Sequence, residues 1–169
     1  MQTLLDTVRA AGAKNVIVAG GLDWAYDFSG ILEGRQLKNK GGNGVIYANH
    51  AYDNKEQSVF SWIENMKKAA AEFPVIVSEF GGSGGPERRR GWWGQSPSTA
   101  TGDDWLLHVM QAIVDHNWAF TAWDLHISAG PAMISQWKYT PTPHLGLNVK
   151  ELLTTPTLPK KIGTAHDRN

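Results

Sequence analysis

Four short apolar segments recur along the chain, and stretches with helical periodicity separate them. The segments are NVIVAGG (15–21), GVIYANHAY (44–52), PVIVSEF (74–80) and WAFTAWDLH (118–126). They begin about 30 to 45 residues apart, which leaves enough chain for each strand to be followed by a helix that crosses back over a sheet. The pattern predicts an α/β fold in which four βα units form a parallel sheet.

The intervening segments have apolar residues at spacings of three and four, as amphipathic helices do. The first, MQTLLDTVRAAGAKN, places Leu4, Val8 and Ala11 on one face and predicts a helix ahead of the first strand. For the helix in EQSVFSWIENMKKAAAEF, Asp53 or Asn54 is the predicted N-cap. The predicted buried positions of the later helices are Val59, Ile63, Met66, Ala70 and Phe73, then Leu106, Met110 and Ile113, then Leu145, Val149 and Leu152.

Composition excludes several classes of partner. The 169 residues contain 16 Lys plus Arg and 16 Asp plus Glu, so no net charge attracts nucleic acid or an anionic membrane. There is no cysteine, and no apolar run approaches the roughly 18 residues of a membrane span. The first helix carries Asp6 and Arg9, which a signal peptide would not, and localisation stays open. We predict one domain over 1–154 and a loosely ordered tail over 155–169.

Polar and aromatic side chains collect where the predicted strands end. Both an open doubly wound sheet and part of a (β/α)8 barrel remain compatible with the pattern, and both architectures bind ligands at this edge. The residues concerned are Asp23 and Trp24, His50 and Tyr52, Glu79, and Trp123.

Strand alternation groups Val75, Val77 and Glu79 on one face of the third strand. The same alternation in the neighbouring strands predicts that His50, Tyr52 and Trp123 converge on Glu79. An unpaired buried carboxylate costs several kcal/mol, so a strand-end Glu79 indicates either a structural ion pair or a functional site.

The strand segments together are similar to a known family. VIYANHAY, PVIVSEFGG and AFTAWDLH, in this order and spacing, resemble the last strands of glycoside hydrolase family 5, the cellulase-like retaining enzymes with a (β/α)8 barrel. NVIVAGGLDWAYDFSG is similar to that family's fifth strand and the loop after it. The resemblance extends to about Leu153, and it implies half of a barrel, from strand five to strand eight.

The resemblance implies roles for individual residues. Glu79 matches the catalytic nucleophile, and His50 and Tyr52 match the pair that contacts the reacting sugar and orients that nucleophile. Trp123 matches the aromatic platform beneath the same sugar. The more distant platforms that it implies are Trp24, Trp92, Trp93 and Trp137. We therefore expect hydrolysis of β-linked glucans, with no cofactor and no metal.

The chain departs from the family pattern in one respect. The family's acid/base glutamate, in an Asn-Glu-Pro type motif that ends the fourth strand, has no counterpart in these 169 residues. In a dimer of two half barrels, Asp124 would fall near the strand of the missing acid, but alternation predicts that it points outward to the helices. A half barrel leaves two sheet edges and an apolar face uncovered, which favours association. We expect a homo-oligomer, most simply a dimer that completes a barrel.

Other interpretations remain open at this point. Glu79 could pair with Arg35 or with Arg88 to Arg90 as a structural acid, and His50, Tyr52 and Trp123 could be core residues. Trp62 and Trp105, which lie on helices, are expected to serve packing. The protein could be a catalytically silent carbohydrate-binding half barrel, or a fragment whose missing half supplies the acid.

Two motifs suggest other chemistry. GGSGG (81–85) satisfies the Gly-x-Ser-x-Gly pattern of an esterase nucleophile, but the residues that follow oppose the helix that this motif needs. His126, His144 and Asp124 could be imagined as metal ligands, although no i, i+4 pair supports a designed site.

Overall fold

The computed structural model describes residues 1–53, 57–82 and 102–155. Within them the elements follow the order α1 (Gln2–Ala10), β1 (Ile17–Gly20), α2 (Leu22–Ala25), α3 (Ser29–Leu32), β2 (Val45–Ala51), α4 (Val59–Glu72), β3 (Val75–Phe80), α5 (Gly102–Asp115), β4 (Ala119–Phe120), β5 (Ile134–Gln136), β6 (Thr140–Pro141) and α6 (Leu145–Thr154).

The sheet confirms the predicted α/β class. Strands β1 to β4 lie side by side in chain order, and every neighbouring pair is parallel. The fourth strand is shorter than predicted, since regular pairing ends at Phe120. Beyond it, the amides of Thr121 and Trp123 still donate to the carbonyls of Val77 and Phe80 on β3. A two-stranded antiparallel hairpin, β5–β6, follows and was not predicted.

The helices cover one face of the sheet and form the core with it. Trp62 and Met66 of α4 pack there with Val77 and Phe80 of β3, and all four are at most 2% exposed. The predicted core positions of α5 and α6 are buried as expected. Trp105 is also buried, so the packing role predicted for the helical tryptophans is confirmed.

Asn49 is a polar residue inside this core. It lies on β2, is 2% exposed, and accepts a hydrogen bond of 2.6 Å from the Trp62 indole Nε1. Its amide nitrogen donates to the carbonyl of Tyr26 at 3.1 Å. Both ends of the amide are therefore satisfied, which makes its burial tolerable.

Two local predictions were wrong. In α1 the buried residue is Leu5, while Leu4 is 65% exposed, because the helix lies beside the free edge of β1 and only a narrow part of its surface touches the sheet. The N-cap of α4 is Ser58, whose side chain accepts from the Ser61 amide at 3.1 Å. The helix thus begins later than Asp53 or Asn54 would require.

No helix in the described part of the chain is long and apolar enough to cross a membrane. The predicted tail lies outside the described residues from 156 onward, so its looseness stays a prediction. Ser83 of the Gly-x-Ser-x-Gly pattern also lies outside them.

Replacing Trp62 by phenylalanine tests the buried hydrogen bond. The variant keeps an aromatic ring in the core but leaves Asn49 Oδ1 without its donor, and a buried unsatisfied acceptor costs about 1 to 3 kcal/mol. We expect the free energy of unfolding to fall by that amount in urea titrations followed by far-UV circular dichroism.

Phe60→Leu, on the same helix, is the matched control. Phe60 is 62% exposed, so this change is expected to shift stability by no more than roughly 0.5 kcal/mol. Equal stabilities of Trp62→Phe and the unmodified chain would show that the hydrogen bond contributes nothing.

Candidate active site at the carboxyl edge of the sheet

An irregularity between β2 and β3 determines which way Glu79 points. Asn49 pairs with Val77, but the next residue, His50, pairs with Glu79, so that Ser78 is an extra residue on β3. Such a bulge places the side chains that follow it on the opposite face from simple alternation. The predicted grouping of Val77 with Glu79 is therefore wrong, since Val77 is fully buried on the helix side.

The bulge turns Glu79 to the face of the sheet that His50 occupies. The two side chains therefore converge, as the sequence predicted. The Tyr52 hydroxyl donates to Glu79 Oε2 at 2.9 Å, and His50 Nδ1 lies 3.6 Å from the same oxygen. The side chains of His50 and Glu79 are 22% and 29% exposed. The carboxylate is thus held from two sides and remains open to a ligand on a third.

Electrostatics fix the protonation of both neighbours. Burial, followed by the charge and hydrogen bond of Glu79, holds the pKa of Tyr52 far above its usual range, so the phenol stays a donor. Burial lowers the pKa of His50, and the Glu79 charge opposes this effect only in part. The site therefore presents a neutral imidazole and a permanent O–H donor beside one carboxylate.

Tyr26 completes this cluster, and the sequence interpretation did not single it out. Its ring centroid lies 6.2 Å from that of His50 and 6.2 Å from that of Tyr52. Tyr26 lies within a turn that is closed by two backbone hydrogen bonds between Leu22 and Asp27. The aromatic-rich segment LDWAYDF directly after β1 is the signal that could have identified it.

Three of the predicted sugar platforms have accessible rings. Trp123 is 39% exposed, Trp24 is 75% exposed and Trp137 is 59% exposed, so none of them is a core residue. Trp137 meets His126 edge to face, with ring centroids 5.0 Å apart. Trp92 and Trp93 lie outside the described residues.

The backbone around Trp24 is unusual. Asp23, Trp24 and Ala25 have φ angles of 48°, 58° and 66°, in the left-handed region that residues other than glycine rarely adopt. Such conformations persist only where the surroundings enforce them, and they concentrate at functional sites. Trp24 follows β1 closely and therefore lies at the same edge of the parallel sheet at which β3 ends after Glu79.

The structure contradicts the outward orientation predicted for Asp124. Regular pairing of β4 ends four residues earlier, so alternation does not extend to this position. Asp124 instead interacts electrostatically with Glu79 and Tyr52, and burial raises the pKa of its carboxyl. Its Oδ1 is buried without a hydrogen-bond partner in the described part of the chain.

Gly81 allows the loop after β4 to approach Tyr52. A Cβ atom at this position would lie 2.3 Å from Cγ of Pro131 and 3.3 Å from Cε1 of Tyr52. Only a glycine leaves room for both side chains. Because Gly81 has no side chain, the segment from Asp124 to Pro131 can pack against the cluster formed by Glu79, His50, Tyr52 and Tyr26.

The alternative ion pair for Glu79 finds no support in the described residues. Arg35 pairs with Glu33, and Arg88 to Arg90 lie outside the described ranges. Over residues 1–53, 57–82 and 102–155, no group of three or more His, Asp or Glu side chains could hold a metal ion. Two cavities of about 180 and 190 Å³ lie along β1, and neither is lined by Glu79.

Comparison with known proteins places this geometry in a family. The model of the cellulase family, glycosyl hydrolase family 5, matches residues 1–129. No curated protein matches the chain.

Solved structures confirm the predicted half barrel. A β-glucanase from Saccharophagus degradans, solved in complex with cellotetraose, superposes with a TM-score of 0.72 at 22% identity, over 92% of this chain and 46% of its own. The catalytic domain of a Streptomyces sp. SirexAA-E mannanase gives 0.63 at 17% identity, over 88% and 44%. Thermobifida fusca endoglucanase Cel5A gives 0.58 at 16% identity, over 90% and 50%. The chain spans about half the length of these proteins and has the fold of part of their barrel.

The coupling between His50 and Glu79 can be measured directly. Glu79→Gln removes the charge that favours the imidazolium, so we expect the pKa of His50, already low, to fall further. In the unmodified chain, the pKa of His50 in the folded state already lies below its unfolded value of about 6.5. The folded state therefore loses stability as the pH falls below that value. Titration of the imidazole signals by NMR, assigned with a His50→Gln variant, measures the shift.

Glu64→Gln provides a control of the same chemistry. Glu64 is a largely exposed residue of α4 that pairs with Lys67, and its loss is expected to leave the His50 titration unchanged. An unchanged His50 pKa in Glu79→Gln would contradict the close approach of the two side chains.

Proposed function

The chain belongs to the cellulase family, glycosyl hydrolase family 5, and from that premise we propose that it hydrolyses O-glycosidic bonds of β-linked glucans, with Glu79 as the nucleophile. The observation that carries the proposal is the Tyr52 hydroxyl donating to Glu79 Oε2, with His50 beside the same oxygen. An ionised, oriented and accessible carboxylate is what a retaining glycosidase requires at the anomeric carbon.

In this proposal Glu79 attacks the anomeric carbon as the bond to the leaving oxygen breaks, a carboxylic acid supplied by the other half of the barrel protonates that oxygen, and a glycosyl ester forms on the Glu79 carboxylate. The Tyr52 hydrogen bond stabilises the ionised nucleophile and fixes its direction. The conjugate base of that acid then takes a proton from a water molecule, which hydrolyses the ester and releases the sugar. His50, neutral and partly accessible, contributes contacts to hydroxyl groups of the reacting sugar.

The exposed tryptophans support a glycan as the ligand. In the sheet order, Trp24 follows β1 and Trp123 follows β4, so they lie on opposite sides of Glu79 at the end of β3. Indole faces suit the CH-rich faces of pyranose rings. We propose Trp123 as the platform at the reacting sugar and Trp24 and Trp137 as more distant platforms, and Trp92 and Trp93 remain predicted members of the same set.

The reaction also needs a protonated carboxyl group at the leaving oxygen, about 5 to 5.5 Å from the nucleophile. The glutamate that serves the family in this role is missing from these 169 residues. The chain matches about half of its structural relatives, so we propose that a second half barrel completes the site.

We propose a second copy of this chain as that half. The face of the sheet away from the helices is apolar and open, with Val18 of β1 55% exposed. Leu125 and Ile127, in the loop after β4, are 59% and 37% exposed. A self-complementary dimer would cover these residues and the free sheet edges. The two Glu79 carboxylates would then lie across the barrel from each other, farther apart than the roughly 5 to 5.5 Å of a retaining pair, so in this dimer we expect inversion or no hydrolysis.

Hydrolysis is tested by reducing-sugar release from a panel of soluble β-glucans, xylan and mannan. We expect activity on β-glucan that rises more steeply than linearly with protein concentration. Glu79→Gln should lower the rate roughly a thousandfold or more. Tyr52→Phe should lower it roughly ten- to a hundredfold, since a hydrogen bond to a charged group contributes about 1.5 to 3 kcal/mol.

Glu64→Gln serves again as the control and should keep full activity. Full activity of Glu79→Gln would refute the assignment of the nucleophile. Hydrolysis of mannan or xylan in preference to β-glucan would refute the substrate class alone.

A second candidate function is a carbohydrate-binding half barrel without hydrolysis. The observation in its favour is that the accessible tryptophans are present while the family's acid/base glutamate is missing from the sequence. Glucan binding that Glu79→Gln leaves unchanged, with no sugar release by either protein, would select this candidate over the enzyme.

The dimer is tested by light scattering over a hundredfold range of concentration. We expect the mass of two chains at micromolar concentration, and dissociation of Val18→Asp because the change buries a charge in the proposed interface. Leu153→Asp, at a residue of α6 that is 69% exposed, should remain dimeric. A stable monomer of the unmodified chain would remove the proposal.

A further inference from the structure

Asp124 has a hydrogen-bonded backbone and one buried carboxyl oxygen without a partner in the described part of the chain. Its amide donates to the carbonyl of Pro131 at 3.1 Å, and its carbonyl accepts from the amides of Met133 and His126, both at 2.9 Å. The residue follows the exposed Trp123 directly, and Gly81 allows this loop to pack against Tyr52. Asp124 is therefore held at the same cleft as Glu79.

Oδ1 of its carboxyl group receives no hydrogen bond from the groups described around it. Tyr52, from the segment after β2, donates its hydroxyl to Glu79 of β3. Within the loop, His126 Nδ1 accepts from the amides of Ser128 and Ala129, so this atom is not a donor to Asp124. Oδ1 remains buried and unpartnered in the described part of the chain.

A carboxylate with one buried oxygen that lacks a donor, and that is exposed to the charge of Glu79, is unfavourable in its charged form. The neutral acid resolves this conflict, since it carries no charge and has one O–H group to donate. Oδ1 is buried and has no partner to which an O–H group could donate. The O–H group is therefore best placed on the other oxygen, Oδ2.

We propose that Asp124 is a second carboxyl group of the sugar-binding cleft and that it contacts the glycan as a neutral hydrogen-bond donor beside Trp123. The inference rests on the proposed function, because it places the glycan over Glu79 and Trp123. It gives the loop after β4 a polar contact with the glycan, beside the apolar contact made by Trp123.

The protonation state is measured first, by NMR titration of the Asp124 side-chain carbon in the full chain. We expect a pKa above the ordinary aspartate value of about 3.9, because burial and the Glu79 charge both raise it while His126 lowers it. In Glu79→Gln the pKa should decrease. A pKa at or below the ordinary value, or one that lies below the pH of the binding measurements, would overturn the proposal because Asp124 would then be ionised.

The contact itself is measured by cellotetraose binding, followed by tryptophan fluorescence. Asp124→Asn keeps the shape and a donor, and should bind as tightly as the unmodified chain. Asp124→Ala should bind about tenfold more weakly, the equivalent of one lost hydrogen bond. As the pH rises through the pKa of Asp124, the unmodified chain should lose affinity relative to Asp124→Asn, because ionisation removes the donor.

Asp115→Asn, at the exposed end of α5, is the matched control and should bind unchanged. Binding by Asp124→Ala that equals the unmodified chain would overturn this inference and leave the proposed function standing. No cellotetraose binding by the unmodified, folded chain would overturn both.

Discussion

The buried amide of Asn49 connects the packing of the protein to its candidate site. On one side it accepts from the indole of Trp62, which belongs to the helix-covered core, and on the other it donates to the backbone of Tyr26, whose ring lies beside His50 and Tyr52. It also lies at the point where the register between β2 and β3 shifts. One satisfied polar residue therefore links the core, the bulge and the aromatic cluster.

The register shift gives this site its chemistry. Without the extra residue, Glu79 would share the face of Val77 and lie in the apolar core, where an ionised carboxylate is strongly disfavoured. With it, the carboxylate meets a phenol whose pKa burial and charge hold high, and an imidazole whose pKa burial holds low. A single irregularity in a strand thus determines whether this acid faces the apolar core or the side chains of His50 and Tyr52.

The loop after β4 adds a second carboxyl group, that of Asp124, whose orientation strand alternation predicted wrongly. Alternation applies only while the backbone remains extended and paired, and regular pairing of β4 ends at Phe120. The loop then returns through hydrogen bonds between Asp124, Pro131 and Met133, which no short-range pattern encodes. The missing side chain of Gly81 lets this loop reach Tyr52, and that close approach is visible only in three dimensions.

The sequence by itself determined the order of helices and parallel strands, because apolar periodicity follows directly from which face of each element is buried. It also placed His50, Tyr52 and Glu79 at neighbouring strand ends and carried the resemblance that predicts their roles. Only the tertiary structure decided the bulge at Ser78, the orientation of Asp124 and the position of Tyr26. Each of these depends on contacts between segments far apart in the chain, and local residue preferences do not specify such contacts.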